Sequence, residues 1–140
     1  MKISARNVLA GTIEKVTKGA VNAEIDLQLE GGEKVAAVIT NASANALKLK
    51  KGAAAFAVIK ASEVMVGTEM EGAKLSARNV LPGVVSKVED GAVNSVVTIA
   101  LHGGSKVVAS ITKTSVKTLG LKKGSKASAI IKASNVMVGV

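Results

Sequence analysis

Three short segments carry the side chains best suited to chemistry, and all of them are rich in hydrogen-bond donors. Ser4-Ala5-Arg6-Asn7 packs a hydroxyl, a guanidinium and an amide into four residues. The guanidinium fork suits a tetrahedral oxyanion, although a polar strand start would look the same. Lys60-Ala61-Ser62 follows the apolar run Ala57-Val58-Ile59. Read as strand, it turns Lys60 and Ser62 to one face; a lysine snorkelling from a strand end is the plainer explanation. Thr40 and Ser43 stand at the expected start of a helix, where free N–H groups attract anions, or where the hydroxyls simply cap. The run Lys18-Gly19-Ala20-Val21-Asn22 reads most simply as a hairpin turn.

No carboxylate belongs to these segments. Such a lining fits a ligand that only accepts hydrogen bonds, as a fully ionised tetrahedral dianion does. Selection between sulfate and a larger oxyanion would then rest on cavity size. The net charge of +9 also asks for an anionic partner. Nucleic acid, a membrane surface and a small oxyanion all satisfy it. With one Phe and no Trp or Tyr, stacking on single-stranded nucleic acid has little to work with. A basic OB-fold module binding nucleic acid is therefore the alternative reading and not the first. No apolar run approaches the ~18 residues of a membrane span. The start Met1-Lys2-Ile3-Ser4 lacks a secretory layout, so a cytoplasmic location is expected.

Catalysis has little foothold. The chain has no cysteine and a single histidine, His102, which removes thiol nucleophiles, zinc–cysteine sites and multi-histidine metal sites. Paired carboxylates, a P-loop and G-x-G-x-x-G are all absent from the sequence. A non-enzyme that holds no free metal cation is expected.

The elements that must position these segments are written twice. Shifted by 72 positions, the chain matches itself without a gap: Ser4-Ala5-Arg6-Asn7 recurs as Ser76-Ala77-Arg78-Asn79, and Lys60-Ala61-Ser62 as Lys132-Ala133-Ser134. Thr40 and Ser43 recur as Thr112 and Ser115. Two copies of so long a unit read as a duplicated domain: domain 1 over 1–67, a linker over 68–72 and domain 2 over 73–140. Their formal charges are +3, −2 and +8. Residues 23–29 alternate apolar and polar without a break, the pattern of a half-buried strand. Glu30-Gly31-Gly32-Glu33 supplies a hairpin turn into a second strand at 34–40. Strands are also expected at 7–16, 53–61 and 62–66, with a one- or two-turn helix at 41–47 after the N-cap Thr40. Met65 and Met137 are expected to fill the core. The fold class is all-β, two tandem OB-like Greek-key barrels, each with one short helix. Units of about 67 residues are marginal alone, which favours tight association.

These residues resemble the molbindin family, small molybdate-binding proteins built from Mop domains. The resemblance covers essentially the whole chain as two consecutive Mop domains. It is carried by MKISARNVLAGTIEKVTKGAVNAEI at the front and VIKASEVMVG at the back, each with its second copy. It implies OB-like barrels that bind molybdate or tungstate in the cytoplasm, for storage and homeostasis and without an organic cofactor. It also implies six Mop domains per assembly, hence a homotrimer for a tandem chain. Sites in the family lie between domains. Carried over, Ser4, Ala5 and Arg6 would meet Lys60, Ala61 and Ser62 of another domain, with Thr40 and Ser43 adding donors. Copy 2 offers Ser76, Ala77, Arg78, Thr112, Ser115, Lys132, Ala133 and Ser134. For the family's sites on the threefold axis, the turn at 19–22 is the candidate.

Overall fold

A computed structural model describes residues 1–140. In copy 1 the elements are β1 (Asn7–Lys18), β2 (Asn22–Leu29), β3 (Lys34–Thr40), α1 (Asn41–Ala46), β4 (Ala54–Ile59), a 3-10 turn (Ala61–Glu63) and β5 (Met65–Gly67). Copy 2 repeats them as β6 (Asn79–Asp90), β7 (Asn94–Leu101), β8 (Lys106–Thr112), α2 (Lys113–Thr118), β9 (Lys126–Ile131), a 3-10 turn (Ala133–Asn135) and β10 (Met137–Gly139).

Strand alternation behaves as the pattern demands. Ala23, Ile25, Leu27 and Leu29 of β2 are buried, while Glu24, Asp26 and Gln28 face outward. The β2–β3 hairpin turns at Gly32, whose φ of +97° is open to glycine at no steric cost. The register of β1 against β2 shifts between Ile13 and Lys15, and that of β6 against β7 between Val85 and Lys87. Such irregularities bend a long strand and let its sheet curl. Thr40 and Thr112 cap the two helices, each accepting from the backbone N–H three residues on.

The sheets do not follow the sequence period. Their strand orders are β10-β4-β1-β2-β3 and β5-β9-β6-β7-β8. Each five-stranded sheet takes four strands from one copy and its fifth from the other. β5 pairs with β9 through Met65↔Ile130, and β10 pairs with β4 through Met137↔Val58. The exchange covers two edges that would otherwise stand open. Each sheet curls as an OB-like half-barrel, and the buried side chains of both halves join in one cluster. The two halves therefore share a core and are related by a pseudo-twofold. Gly31 and Gly103 meet on that axis; a Cβ on Gly103 would run into the backbone of Gly31.

Two local expectations are corrected. The strand expected over 53–61 stops at Ile59. Glu63 N–H bonds back to the Lys60 carbonyl and Val64 N–H to that of Ala61, closing a 3-10 turn, so Lys60 and Ser62 share no strand face. Met65 and Met137 lie on the outer face at 47% and 46% exposure, because the inward positions are taken by Val64 and Val136.

Candidate anion-binding site

The residues flanking each arginine are held by a buried amide. Asn7 is 1% exposed and sits at the start of β1. Its side chain donates to the Val108 carbonyl (2.8 Å) and to that of Ile59 (3.2 Å), and accepts from Val108 N–H (2.7 Å). Asn79 does the same to Ala36 of β3, donating at 2.8 Å and accepting at 2.7 Å. β3 and β8 are edge strands, and these amides satisfy their outward backbone groups as a neighbouring strand would. Each Ser-Ala-Arg-Asn segment is thereby clamped onto the last strand of the opposite copy.

The Lys-Ala-Ser segments arrive at the same places. Because Asn7 pairs with Ile59, residues 4–6 and 60–62 leave the same end of the sheet. The turn at Ala61–Glu63 packs on β8, and the turn at Ala133–Asn135 on β3. Within one chain, then, Ser4, Ala5, Arg6, Lys60, Ala61 and Ser62 gather over β8. Their counterparts Ser76, Ala77, Arg78, Lys132, Ala133 and Ser134 gather over β3. The serines, arginines and lysines are exposed; Ala61 is half-buried and Ala133 buried. Asn135 donates to Glu63 at 2.8 Å and ties the two turns together. Positions 63 and 135 are 72 apart, so this bond lies on the pseudo-twofold.

Thr40 stands two residues along β3 from Val38, the partner of Glu24, and so toward the Arg78 end of the groove. Its hydroxyl is engaged, accepting from Ser43 N–H at 3.1 Å and donating to Ser43 Oγ at 2.9 Å. Thr112 and Ser115 repeat the arrangement at 3.1 and 2.8 Å. The turn at 19–22 closes through Gly19 N–H to the Asn22 carbonyl and lies exposed beside α1.

Charge separates the two groups. Arg78 makes a bidentate pair with Glu24, at 2.9 and 2.8 Å. That hydrogen bond, with the charge of the guanidinium, holds the Glu24 carboxyl below the usual carboxylate range and raises Arg78 in turn. A groove of about 290 Å³ beside the pair is lined by Glu14, Asp26, Lys34, Arg78 and Asn79, with Lys34 and Glu14 3.3 Å apart. The positions matching that groove in the other half are Ser86, Val96, Thr98, Lys106 and Asn7. The carboxylate of that wall, Glu89 opposite Val96, is paired with Lys87 at 3.0 Å. Arg6 forms no ion pair. No cluster of three or more His, Asp or Glu side chains offers a cation site. Sequence reasoning missed the clamp role of Asn7 and Asn79 and the carboxylate on Arg78. The available signal was the loss of both acidic residues of β2, Glu24 and Asp26, at the matching positions Val96 and Thr98 of β7.

Curled OB-like half-barrels in tandem, with donor-rich segments gathered at the junction of the halves, define a duplicated small-ligand-binding module. Two TOBE domain matches, over residues 3–66 and 75–138, show that the chain belongs to the TOBE domain family. It superposes on the crystal structure of the cytoplasmic molybdate-binding protein ModG, with molybdate bound, at a TM-score of 0.97. The two are 54% identical, over 100% of this chain and 99% of that one. The chain is also 43% identical to the molybdenum transport protein ModE of Herbaspirillum seropedicae. It is 42% identical to the molybdenum-pterin-binding protein MopA of Rhodobacter capsulatus. Both alignments take in all of this chain but 52% and 53% of the relative, so the chain spans about half the length of these curated relatives.

Proposed function

We propose that the protein binds molybdate in the cytoplasm, takes tungstate in the same sites, and serves storage and homeostasis without catalysis. The observation that carries this reading is the likeness, along the entire chain, to a ModG structure with molybdate bound. The residues assigned to the oxyanion are Ser4, Ala5, Arg6, Lys60, Ala61 and Ser62, with Ser76, Ala77, Arg78, Lys132, Ala133 and Ser134 in copy 2. Thr40, Ser43, Thr112 and Ser115 add donors from the helix caps. Hydroxyl, ammonium, guanidinium and backbone N–H groups match a dianion that only accepts, each charge-assisted bond contributing about 1.5–3 kcal/mol.

The working form is a homotrimer carrying six Mop-like domains, domain 1 over 1–67 and domain 2 over 73–140. Support comes from the outer faces: Val8 and Met137 on one sheet and Val80 and Met65 on the other are exposed apolar residues in matching positions. Burying such faces between chains would complete sites built from several domains. Isothermal titration with molybdate, tungstate and sulfate, with light scattering alongside, tests the reading. Heat with the first two and not with sulfate is expected, from a particle of three times the 14.1 kDa chain mass. A monomer that gives no heat with molybdate would overturn it.

A further inference from the structure

The two Ser-Ala-Arg-Asn segments are identical in sequence, yet they face different walls. Arg78 meets Glu24 on β2, with Glu14 and Asp26 on the same outward side of that sheet. Moving each carboxylate forward by 72 gives Ser86, Val96 and Thr98 around Arg6. The basic residues do not change: Lys34 becomes Lys106 and Arg78 corresponds to Arg6. Glu14, Glu24 and Asp26 thus have no acidic counterparts at the matching positions, and the one carboxylate of the second wall, Glu89 opposite Val96, pairs with Lys87 and not with Arg6. We infer that Glu24 is a built-in competitor for the anion at Arg78, so that the paired segments bind unequally and Arg6 fills first.

The physical basis is donor supply. A bidentate carboxylate occupies the two guanidinium N–H groups that an oxyanion would use in the same fork geometry. Binding at Arg78 must first displace Glu24, and the displaced carboxylate, with Glu14 and Asp26, then repels a dianion. Arg6 has no such partner to lose. Both halves of the pair are largely solvated, so the penalty is modest and the second site is weakened, not abolished. The result is a graded response, one class of site filling at low anion and another at higher anion. This inference rests on the oxyanion reading above.

The chain has two arginines in all, Arg6 and Arg78, which makes a direct readout available. Their side-chain Nε–Hε resonances can be followed separately during a molybdate titration of the full chain, with Arg6→Lys assigning the pair. The Arg6 signal is expected to move at about three- to tenfold lower molybdate than the Arg78 signal, the range an exposed pair plus charge repulsion allows. Glu24→Val, which installs the residue of copy 2, should bring the Arg78 midpoint to within about twofold of the other. Val96→Glu is the reciprocal change and should shift the Arg6 midpoint upward; it decides the matter alone if Glu24→Val does not fold. Equal midpoints in the parent chain, or midpoints that neither variant moves, would overturn the inference. In that case calorimetric heat with molybdate would leave the functional reading intact. Absence of that heat removes both.

Discussion

The outer walls of β2 and β7 are built on one pattern, and they differ in the residues that meet an arginine. On β2, Glu24 and Asp26 face out between buried Ala23, Ile25 and Leu27. On β7, Val96 and Thr98 take those places between buried Ser95, Val97 and Ile99. The inward residues keep their size and, apart from Ser95, whose hydroxyl donates to Asp90, their apolar character, because both sets pack into one core. The outward residues are free to differ, and there the charge of the two copies, +3 against +8, departs. The difference shows that a duplicated site can keep its ligand-bearing segment and still be retuned by its neighbour. Each Arg-bearing segment is clamped onto the opposite copy, so the sheet that tunes it belongs to the other half.

The clamp itself is the strongest test of that arrangement. Replacing Asn79 by Ala leaves the amide and carbonyl of Ala36 without partners in a buried setting. The expected loss is about 2–4 kcal/mol, a fall in Tm of roughly 5–12 °C for a chain of this size. Asn7→Ala should cost somewhat more, because Asn7 also bonds the Ile59 carbonyl. Thermal unfolding by circular dichroism checks both. Losses below about 0.5 kcal/mol for the pair would mean that water replaces the amides and that no clamp exists. A smaller effect, about 1–3 kcal/mol, is expected from Gly103→Ala. Its Cβ would press on the Gly31 backbone; a Cβ on Gly31 would meet the Gly103 carbonyl oxygen as well, but less closely, at 2.7 Å, along with Glu33 Oε2 at 2.6 Å. Gly31→Ala should therefore be the milder of the two in the same melts.

Much of this architecture was legible in the chain, and the missing parts share a cause. The repeat exposed the two halves. Alternation over 23–29 and the β-rich run over 34–40 marked strands that match β2 and β3 closely, and Thr40 marked the start of α1. These signals are local. The exchange of β5 and β10 is not, because Met-Val-Gly reads the same in both copies and fits the edge of either β4 or β9. Which partner it takes depends on the route of the chain. The Lys60–Ser62 turn was misread because its 3-10 closure rests on backbone bonds that leave little mark in side-chain type. Met65 and Met137 were misplaced because an apolar outer face mimics a core in a single sequence. For the site, residue types gave the donor lining, but the carboxylate on Arg78 comes from 54 positions away and no spacing rule points to it.

The pseudo-twofold offers a sharper contrast between the halves. Glu63 and Asn135 occupy equivalent places and meet as acceptor and donor at 2.8 Å. Glu at both positions would set two carboxylates against each other on the axis. Asn135→Glu is therefore expected to cost about 1–2 kcal/mol, one lost hydrogen bond plus a like-charge contact near the surface. Added salt should recover the repulsive part and leave the hydrogen-bond part. Glu63→Gln, which removes the charge and keeps an acceptor, should cost less and show little salt dependence. Denaturant midpoints at low and high salt separate the two. Equal salt responses would show that the side chains swing clear of each other.

The smallest expected effect concerns acid. The Arg78 hydrogen bond and charge lower the Glu24 pKa in the folded chain, so the folded state holds the ionised carboxylate more firmly than the unfolded state does. The stabilisation is then present at neutral pH and fades as pH falls through the folded pKa, where the native carboxyl at last takes its proton. The stability difference between the parent chain and Glu24→Val should shrink over that acid interval and stay flat from about pH 6 to 8, well above an ordinary glutamate pKa. Val96→Glu should gain the same kind of acid dependence, because it places a carboxylate opposite Arg6. If its stability against Val96→Gln is independent of pH from 3 to 7, Arg6 does not reach across β7 and the two arginines are not equivalent even in position. A matching acid response from both carboxylates would show that the two arginines reach equivalent places across β2 and β7, so that the residue at 24 or 96 decides which of them is paired.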